Sequence, residues 1–230
     1  MKKSKPSFQN ITNDFHGFLF TWNSCGRKKR PVLEEAYRLL NRYSEHNVGE
    51  EAVSSDSDME CAFEKEKSSF NQDKAKTFME LPLIDAYLFV KTSLSSPIEV
   101  FDKIFVDASS NREFKTTVTK LQKMYPILHA SIAADVNGFL LKSKRSLSEC
   151  FDRSSKFTWS VEFIDKCGNK SLNIDDFLLP LKTYLFDEFP LTEPCYSSPD
   201  VVMIVFLIKQ YALFSCYHTH ERLKYCTLIK

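Results

Sequence analysis

The chain has 230 residues, 43% of them apolar, 27% charged and 13% aromatic, which suits one or two folded domains with a real core. Its longest unbroken apolar run, Val201 to Ile208, falls far short of the roughly 18 residues a membrane span needs. The net charge of +1 hides nine Lys or Arg against four acids in residues 1–48, one against seven in 49–66 and eleven against six in 112–170, and screening confines such fields to about 10 Å.

Met1-Lys2-Lys3-Ser4-Lys5-Pro6 leads into Ser7, Phe8, Gln9 and Asn10 and not into an apolar segment, so no signal peptide is expected. Seven cysteines at irregular spacing make no disulfide framework and suit a reducing compartment. Gly17 to Trp22 is a continuous apolar and aromatic run, as in a strand buried on both faces. Asn23 to Arg30 follows as a polar, basic turn. From Pro31 onward, Leu33, Ala36, Tyr37, Leu40 and Tyr43 mark one stripe of a helix, with Pro31 in its first turn and Glu34 and Glu35 near the positive end of its dipole.

Residues 47–76 are acidic, serine-rich and without period, and read as a disordered connector. Ser54, Ser55 and Ser57 there are phosphorylation candidates, although a solvated spacer is the simpler reading. Ala86 to Val90 is the next predicted strand. The capping box Ser96-Pro97-Ile98-Glu99 opens a short helix through about Val106. Strand and helix, repeated once on each side of the connector, form the skeleton of a split βαβ, ferredoxin-like unit.

The second half adds Val118 to Tyr125, a strand candidate ending at Pro126, and a helix from Ala130 to about Cys150 with Ala133, Val136 and Leu140 on its apolar side. Phe157, Trp159, Val161 and Phe163 alternate with polar residues, the period of a strand whose aromatics belong to the core. Asp165 to Lys170 is a turn. Asn173 to Phe186 is helical, with Pro180 expected to kink or shorten it. Pro190 to Pro199 is a loop, and Val201–Leu207 and Tyr211–Tyr217 form a strand pair joined at Lys209-Gln210. The expected fold class is α+β, a mixed α/β chain with a sheet and not a bundle.

Five scattered glycines, Gly17, Gly26, Gly49, Gly138 and Gly168, leave no phosphate-binding loop. No metal-ligand spacing is present; His218 and His220 share a strand face but lack partners, and Cys216 suits a core position. Cys25, beside Arg27, Lys28, Lys29 and Arg30, is the best-placed thiol for nucleophilic chemistry, yet His16 is the only histidine near it in sequence. No catalytic signature emerges, and the chain does not read as an enzyme.

The features above background are basic. Arg27, Lys28, Lys29 and Arg30 precede a helix N-terminus, which itself favours phosphate. In the second half Lys120, Lys123, Lys142, Lys144, Arg145, Arg153, Lys156, Lys166 and Lys170 flank element ends, where they could track a nucleic-acid backbone.

Gly17 to Asn23, the basic turn and Leu33-Glu34-Glu35-Ala36-Tyr37-Arg38-Leu39-Leu40-Asn41-Arg42-Tyr43 together resemble the N-terminal unit of the THUMP-domain tRNA acetylation adaptors. Met124 to Ile127, the strand from Phe157 to Ile164, Pro190-Leu191-Thr192-Glu193-Pro194, the hairpin Val201 to Tyr217 and Arg222-Leu223-Lys224-Tyr225 follow in that family's order. The resemblance implies a ferredoxin-like unit over 15–110, interrupted by the connector, then a THUMP domain over 112–228. It points again to Lys123 and adds Arg222 and Lys224 to the RNA-binding candidates. It also implies a non-catalytic tRNA-binding role without a cofactor of its own. The chain would grip the acceptor stem and 3′ end of serine and leucine tRNAs and present them to a separate RNA cytidine acetyltransferase for acetylcytidine formation. The compartment would be the nucleus, with its nucleolus, or the cytoplasm. Two alternatives stay open: a protein-interaction module without RNA binding, and the RNA-binding part of another RNA-modifying enzyme.

Overall fold

The computed structural model describes residues 15–23, 29–44, 78–82, 86–110, 114–166, 173–219 and 227–228. The predicted acidic connector, with Ser54, Ser55 and Ser57, lies outside the described residues. The described chain divides into two compact units. One holds Gly17–Pro126 with Thr227 and Leu228; the other holds Phe15, His16 and Ile127–Thr219.

The first unit runs β1 (Phe15–Trp22), α1 (Lys29–Ser44), β2 (Phe78–Pro82), β3 (Tyr87–Thr92), α2 (Pro97–Ser110), a short α3 (Phe114–Thr117) and the first half of β4 (Leu121–Ile132). Its strands lie in the order β2-β3-β1-β4, with β3 antiparallel to both β1 and β2. This is the βαββαβ arrangement of a ferredoxin-like sheet, and β4 is its fourth strand. Phe18, Leu19 and Phe20 of β1 are all fully buried, as the continuous apolar run requires.

Gly17 sits opposite Lys91 where β1 and β3 approach closely: a Cβ there would come within 2.1 Å of the Val90 carbonyl oxygen. Ala86 takes a positive φ of 73° before β3, and its carbonyl accepts the Trp22 N–H at 3.1 Å. Ser96 caps α2 as the capping box requires, its Oγ accepting the Glu99 N–H at 3.4 Å. The helix continues to Ser110, one turn beyond the expected end, and buried Ala108 continues the side formed by Ile104 and Phe105.

The second unit takes the rest of β4, then α4 (Val136–Cys150), β5 (Thr158–Asp165), α5 (Asp175–Glu188), the two-residue β6 (Glu193–Pro194), β7 (Val201–Ile208) and β8 (Tyr211–His218). Its sheet order is β4-β8-β7-β5-β6; β5 is parallel to β6 and β7, while β8 is antiparallel to β7 and β4. The core joins Trp159 and Val161 of β5, Val201, Met203 and Val205 of β7 and Phe214 of β8 to Phe139 and Leu147 of α4 and Phe177, Leu181 and Leu185 of α5.

Two expectations need correction here. β4 does not end at Pro126 but runs on to Ile132, because the proline lies beside a register shift between Ile127 and His129, where the ladder with β8 is already interrupted. That leaves Ala130 in the strand and Ala133 in the turn after it, and α4 starts only at Val136. Its N-terminus is set by Asp135, whose Oδ1 accepts the Gly138 N–H at 3.0 Å. Pro180 lies within α5 without shortening it.

The hairpin closes as expected through Lys209 and Gln210, with Ile208 facing Tyr211; Lys209 adopts a φ of 55°. Among the described residues, no helix is long and apolar enough to cross a membrane.

Gly17→Ala must push β1 and β3 apart. We expect it to lower stability by at least about 2 kcal/mol, read from chemical denaturation. An unchanged midpoint would contradict the close approach of the two strands.

Candidate nucleic-acid interface

α1 begins at Lys29, two residues before Pro31, so Lys29 and Arg30 belong to the helix and not to the basic turn. Its first turn carries no acid. The buried stripe is rotated from the expected one, with Val32, Glu35 and Leu39 joining Ala36, Leu40 and Tyr43 while Leu33 and Tyr37 are only half-buried. The rotation places Glu35, 3% exposed, inside the unit and not at a dipole end.

Its Oε1 accepts the backbone N–H groups of Thr119 at 3.1 Å, Lys120 at 2.8 Å and Leu121 at 3.0 Å. Oε2 accepts the Thr119 hydroxyl at 3.2 Å and the Lys120 ammonium at 3.4 Å. Burial alone would push the carboxyl pKa up, but the three backbone donors and the Lys120 charge outweigh it and hold it below the ordinary carboxylate value. Glu35 thus pins α1 to the start of β4. Lys120 is engaged in that bond.

Three further cations of this unit also meet acids. Lys29 pairs with Glu80, and Arg30 Nε donates to Glu34 at 3.0 Å. Arg42 lies 3.8 Å from Asp107 and over the Tyr43 ring, whose hydroxyl donates to the same carboxylate. Burial first, then the Asp107 contact, pushes the Tyr43 phenol up to about 12. Lys123 sits half-buried on β4 in a bridge to Thr227.

In the second unit the helix period separates the three candidates of α4. Lys142 and Arg145, three residues apart, share a face, whereas Lys144 is turned by roughly 160° from Lys142. Lys144 lies against α5, with its Nζ 5.3 Å from the centre of the Tyr184 ring. Tyr184 in turn donates to the Lys144 carbonyl at 3.3 Å and contacts the Ser148 hydroxyl at 2.5 Å. Arg145 Nε donates to Glu149 at 2.8 Å, an exposed i,i+4 pair worth only a few tenths of a kcal/mol. The guanidinium can therefore exchange this carboxylate for a phosphate at little cost.

Lys156 precedes β5 and Lys166 follows it, so the strand holds them about 30 Å apart. Arg153 is paired with Glu188 through both Nε, at 2.9 Å, and a terminal nitrogen. The groove beside it, about 500 Å³, is lined also by Glu149 and Asp152 and is no polyanion site. The structure therefore brings Lys142 and Arg145 onto one face and scatters the remaining described candidates.

Arg27, Lys28, Lys170, Arg222 and Lys224, and with them Cys25 and His220, lie outside the described residues. Cys216 is buried in the core, as its place on β8 implies. Among the described residues, no cluster of three His, Cys, Asp or Glu groups could hold a metal ion. The signal missed in the sequence is Glu35: it stands in the Glu-Glu-Ala-Tyr run, but its donors are 84 to 86 residues away.

No family model matches the chain. It is 23% identical over 232 residues to mouse (Mus musculus) THUMP domain-containing protein 1, covering 90% of this chain and 64% of that protein. Against the human (Homo sapiens) protein of the same name it is 24% identical over 235 residues, with the same coverage. The chain thus spans 64% of the length of the curated relatives it matches. The crystal structure of a 4-thiouridine synthetase–RNA complex with bound ATP superposes with a TM-score of 0.52 at 9% identity, over 88% of this chain and 41% of that one. The mixed α/β fold resembles that of THUMP-domain proteins.

Glu35→Ala leaves three backbone donors without their carboxylate, and we expect a loss on the order of 3 kcal/mol. Because the folded-state pKa of Glu35 lies below its ordinary value of 4.5, its contribution is complete above that value and fades as pH falls through the folded pKa. Between pH 7 and pH 3.5 the wild-type chain should lose more stability in urea than Glu35→Gln does. Parallel losses in the two would show that the carboxylate charge does not matter.

Proposed function

We propose that this chain binds tRNA without acting on it chemically, as an adaptor for a separate RNA-modifying enzyme. The reading rests on similarity to THUMP domain-containing protein 1 along 90% of the chain, and on a ferredoxin-like unit followed by a second mixed α/β unit, which this reading takes as the THUMP domain. The observation that carries the contact itself is the outer face of α4. Lys142 and Arg145 stand there side by side, and the Arg145–Glu149 pair is exposed on both sides.

In this reading the bound element is the acceptor stem and 3′ end, where phosphates, 2′-hydroxyls and unstacked bases are read together. The RNA would be of the serine and leucine type. The enzyme served would be the RNA cytidine acetyltransferase, which would bring the acetyl-CoA and ATP needed for acetylcytidine. No cofactor belongs to this chain, and its compartment would be the nucleus or the cytoplasm. Lys29, Arg30, Lys123, Lys156 and Lys166 then supply field more than contact, and Lys144 orients α4 against Tyr184. Arg27, Lys28, Lys170, Arg222 and Lys224 remain candidates for phosphate contact.

A second reading, a protein-interaction module without RNA binding, is favoured by one observation. Lys29, Arg30, Arg42, Lys120, Arg145 and Arg153 all sit within 4 Å of a carboxylate.

Filter binding of tRNA across a salt series separates the two. Each neutralised phosphate adds about −0.9 to the slope of log K against log salt on duplex backbones. Lys142→Glu with Arg145→Glu should lower affinity at least about tenfold near 0.1 M salt and flatten the slope by about 2. Lys144→Glu should do less. Salt-independent retention, or no retention by the wild-type chain, would favour the second reading.

A further inference from the structure

Among the described residues of the second unit, five of the seven exposed large apolar side chains lie on α5 or close to its ends, while Ile132 on β4 and Leu141 on α4 stand apart. Leu179 is 58% exposed and Phe186 53%, and Leu191 and Tyr196, just beyond the helix, are 50% and 65% exposed. Leu179, Lys182 and Phe186 are three and four residues apart, which puts them in one stripe on the side of α5 opposite its buried Phe177, Leu181 and Leu185.

Phe186 is not loose: its ring meets the edge of buried Trp159 with centroids 5.4 Å apart. Trp159 Nε1 in turn donates to Thr192 Oγ1 at 3.1 Å, which fixes the turn carrying Leu191. Tyr196 is held on the other flank with Lys182 Nζ 5.9 Å from its ring centre. An apolar stripe kept in solvent on so firm a footing is the profile of an interaction site.

The charge around it selects the occupant. Asp175 and Asp176 stand one turn before Leu179, Asp187 follows Phe186 and Glu193 lies on β6, against Lys182 alone within the stripe. A recess of about 500 Å³ lined by Leu140, Asp175, Asp176, Leu179 and Pro180 opens at the N-terminal end. Such a rim repels a phosphate backbone and an anionic lipid surface alike, and it attracts Lys and Arg.

We propose that the outer face of α5, continued by Leu191 and Tyr196, docks a protein segment with apolar anchors and basic flanks. Its anchors would lie over Leu179 and Phe186 and a cation would reach the recess beside Asp175 and Asp176. The inference deepens the adaptor reading and rests on it: α4 carries the RNA, and α5, of opposite charge, carries the enzyme served.

The test uses the full chain and the purified RNA cytidine acetyltransferase, with binding read by biolayer interferometry and tRNA retention read in parallel. Leu179→Lys should weaken acetyltransferase binding at least tenfold and leave tRNA affinity within twofold. Asp175→Asn with Asp176→Asn should weaken it severalfold and reduce its salt dependence. Phe186→Ala is a further variant, and melting curves identify any variant that fails to fold; Leu179 is 58% exposed and stands outside the core cluster. Acetyltransferase binding unchanged in folded Leu179→Lys overturns this surface while leaving the adaptor reading intact. Absence of wild-type binding to the acetyltransferase overturns the adaptor reading, and the surface with it. Loss of tRNA binding by folded Leu179→Lys would make the face an RNA platform and overturn the proposal.

Discussion

One buried carboxylate organises the ferredoxin-like unit. Glu35 gathers three backbone N–H groups, a hydroxyl and an ammonium from Thr119, Lys120 and Leu121 onto a helix that follows the first strand. An isolated charge so little exposed would cost several kcal/mol, and it is tolerated only because every oxygen is engaged. The consequence reaches beyond the helix. The same three residues lead into β4, so the place at which the last strand enters its sheet is set by a side chain of α1. From Ile127 onward that strand belongs to the second unit, where it pairs with β8.

A second constraint is the fate of the cations. In the first unit Lys29, Arg30, Arg42 and Lys120 each lie near a carboxylate, so these four charges are locally balanced once folded. Such exposed pairs contribute little to stability, but they blunt the field a polyanion would meet. In the second unit the charge is instead sorted by helix. α4 turns Lys142 and Arg145 outward, and α5 carries Asp175, Asp176 and Asp187 around an exposed apolar stripe. Two helices packed on the same core therefore offer faces of opposite charge.

The elements most legible in the sequence are those whose period is enforced by burial. The alternation from Phe157 to Phe163 became β5 with Trp159 and Val161 inside. The unbroken apolar run at Val201 became β7, buried along its whole length. The Ser96 box became a capped helix. The less legible elements depended on neighbours. β2 is too short to show a period and exists because β3 pairs with it. Pro126 reads as a strand end unless one knows that the ladder shifts register beside it.

What the sequence determined alone was therefore local: which segments bury a face, where helices are capped, and the α+β class that follows from their order. The tertiary structure decided which charges meet, because those meetings join residues far apart along the chain. Glu35 and its donors are 84 to 86 positions apart, and Arg153 and Glu188 are 35 apart. Hydrophobic periodicity is written into neighbouring residues by the geometry of one helix or strand. Coulomb and hydrogen-bond partners are chosen by distance in space, and no local pattern encodes that.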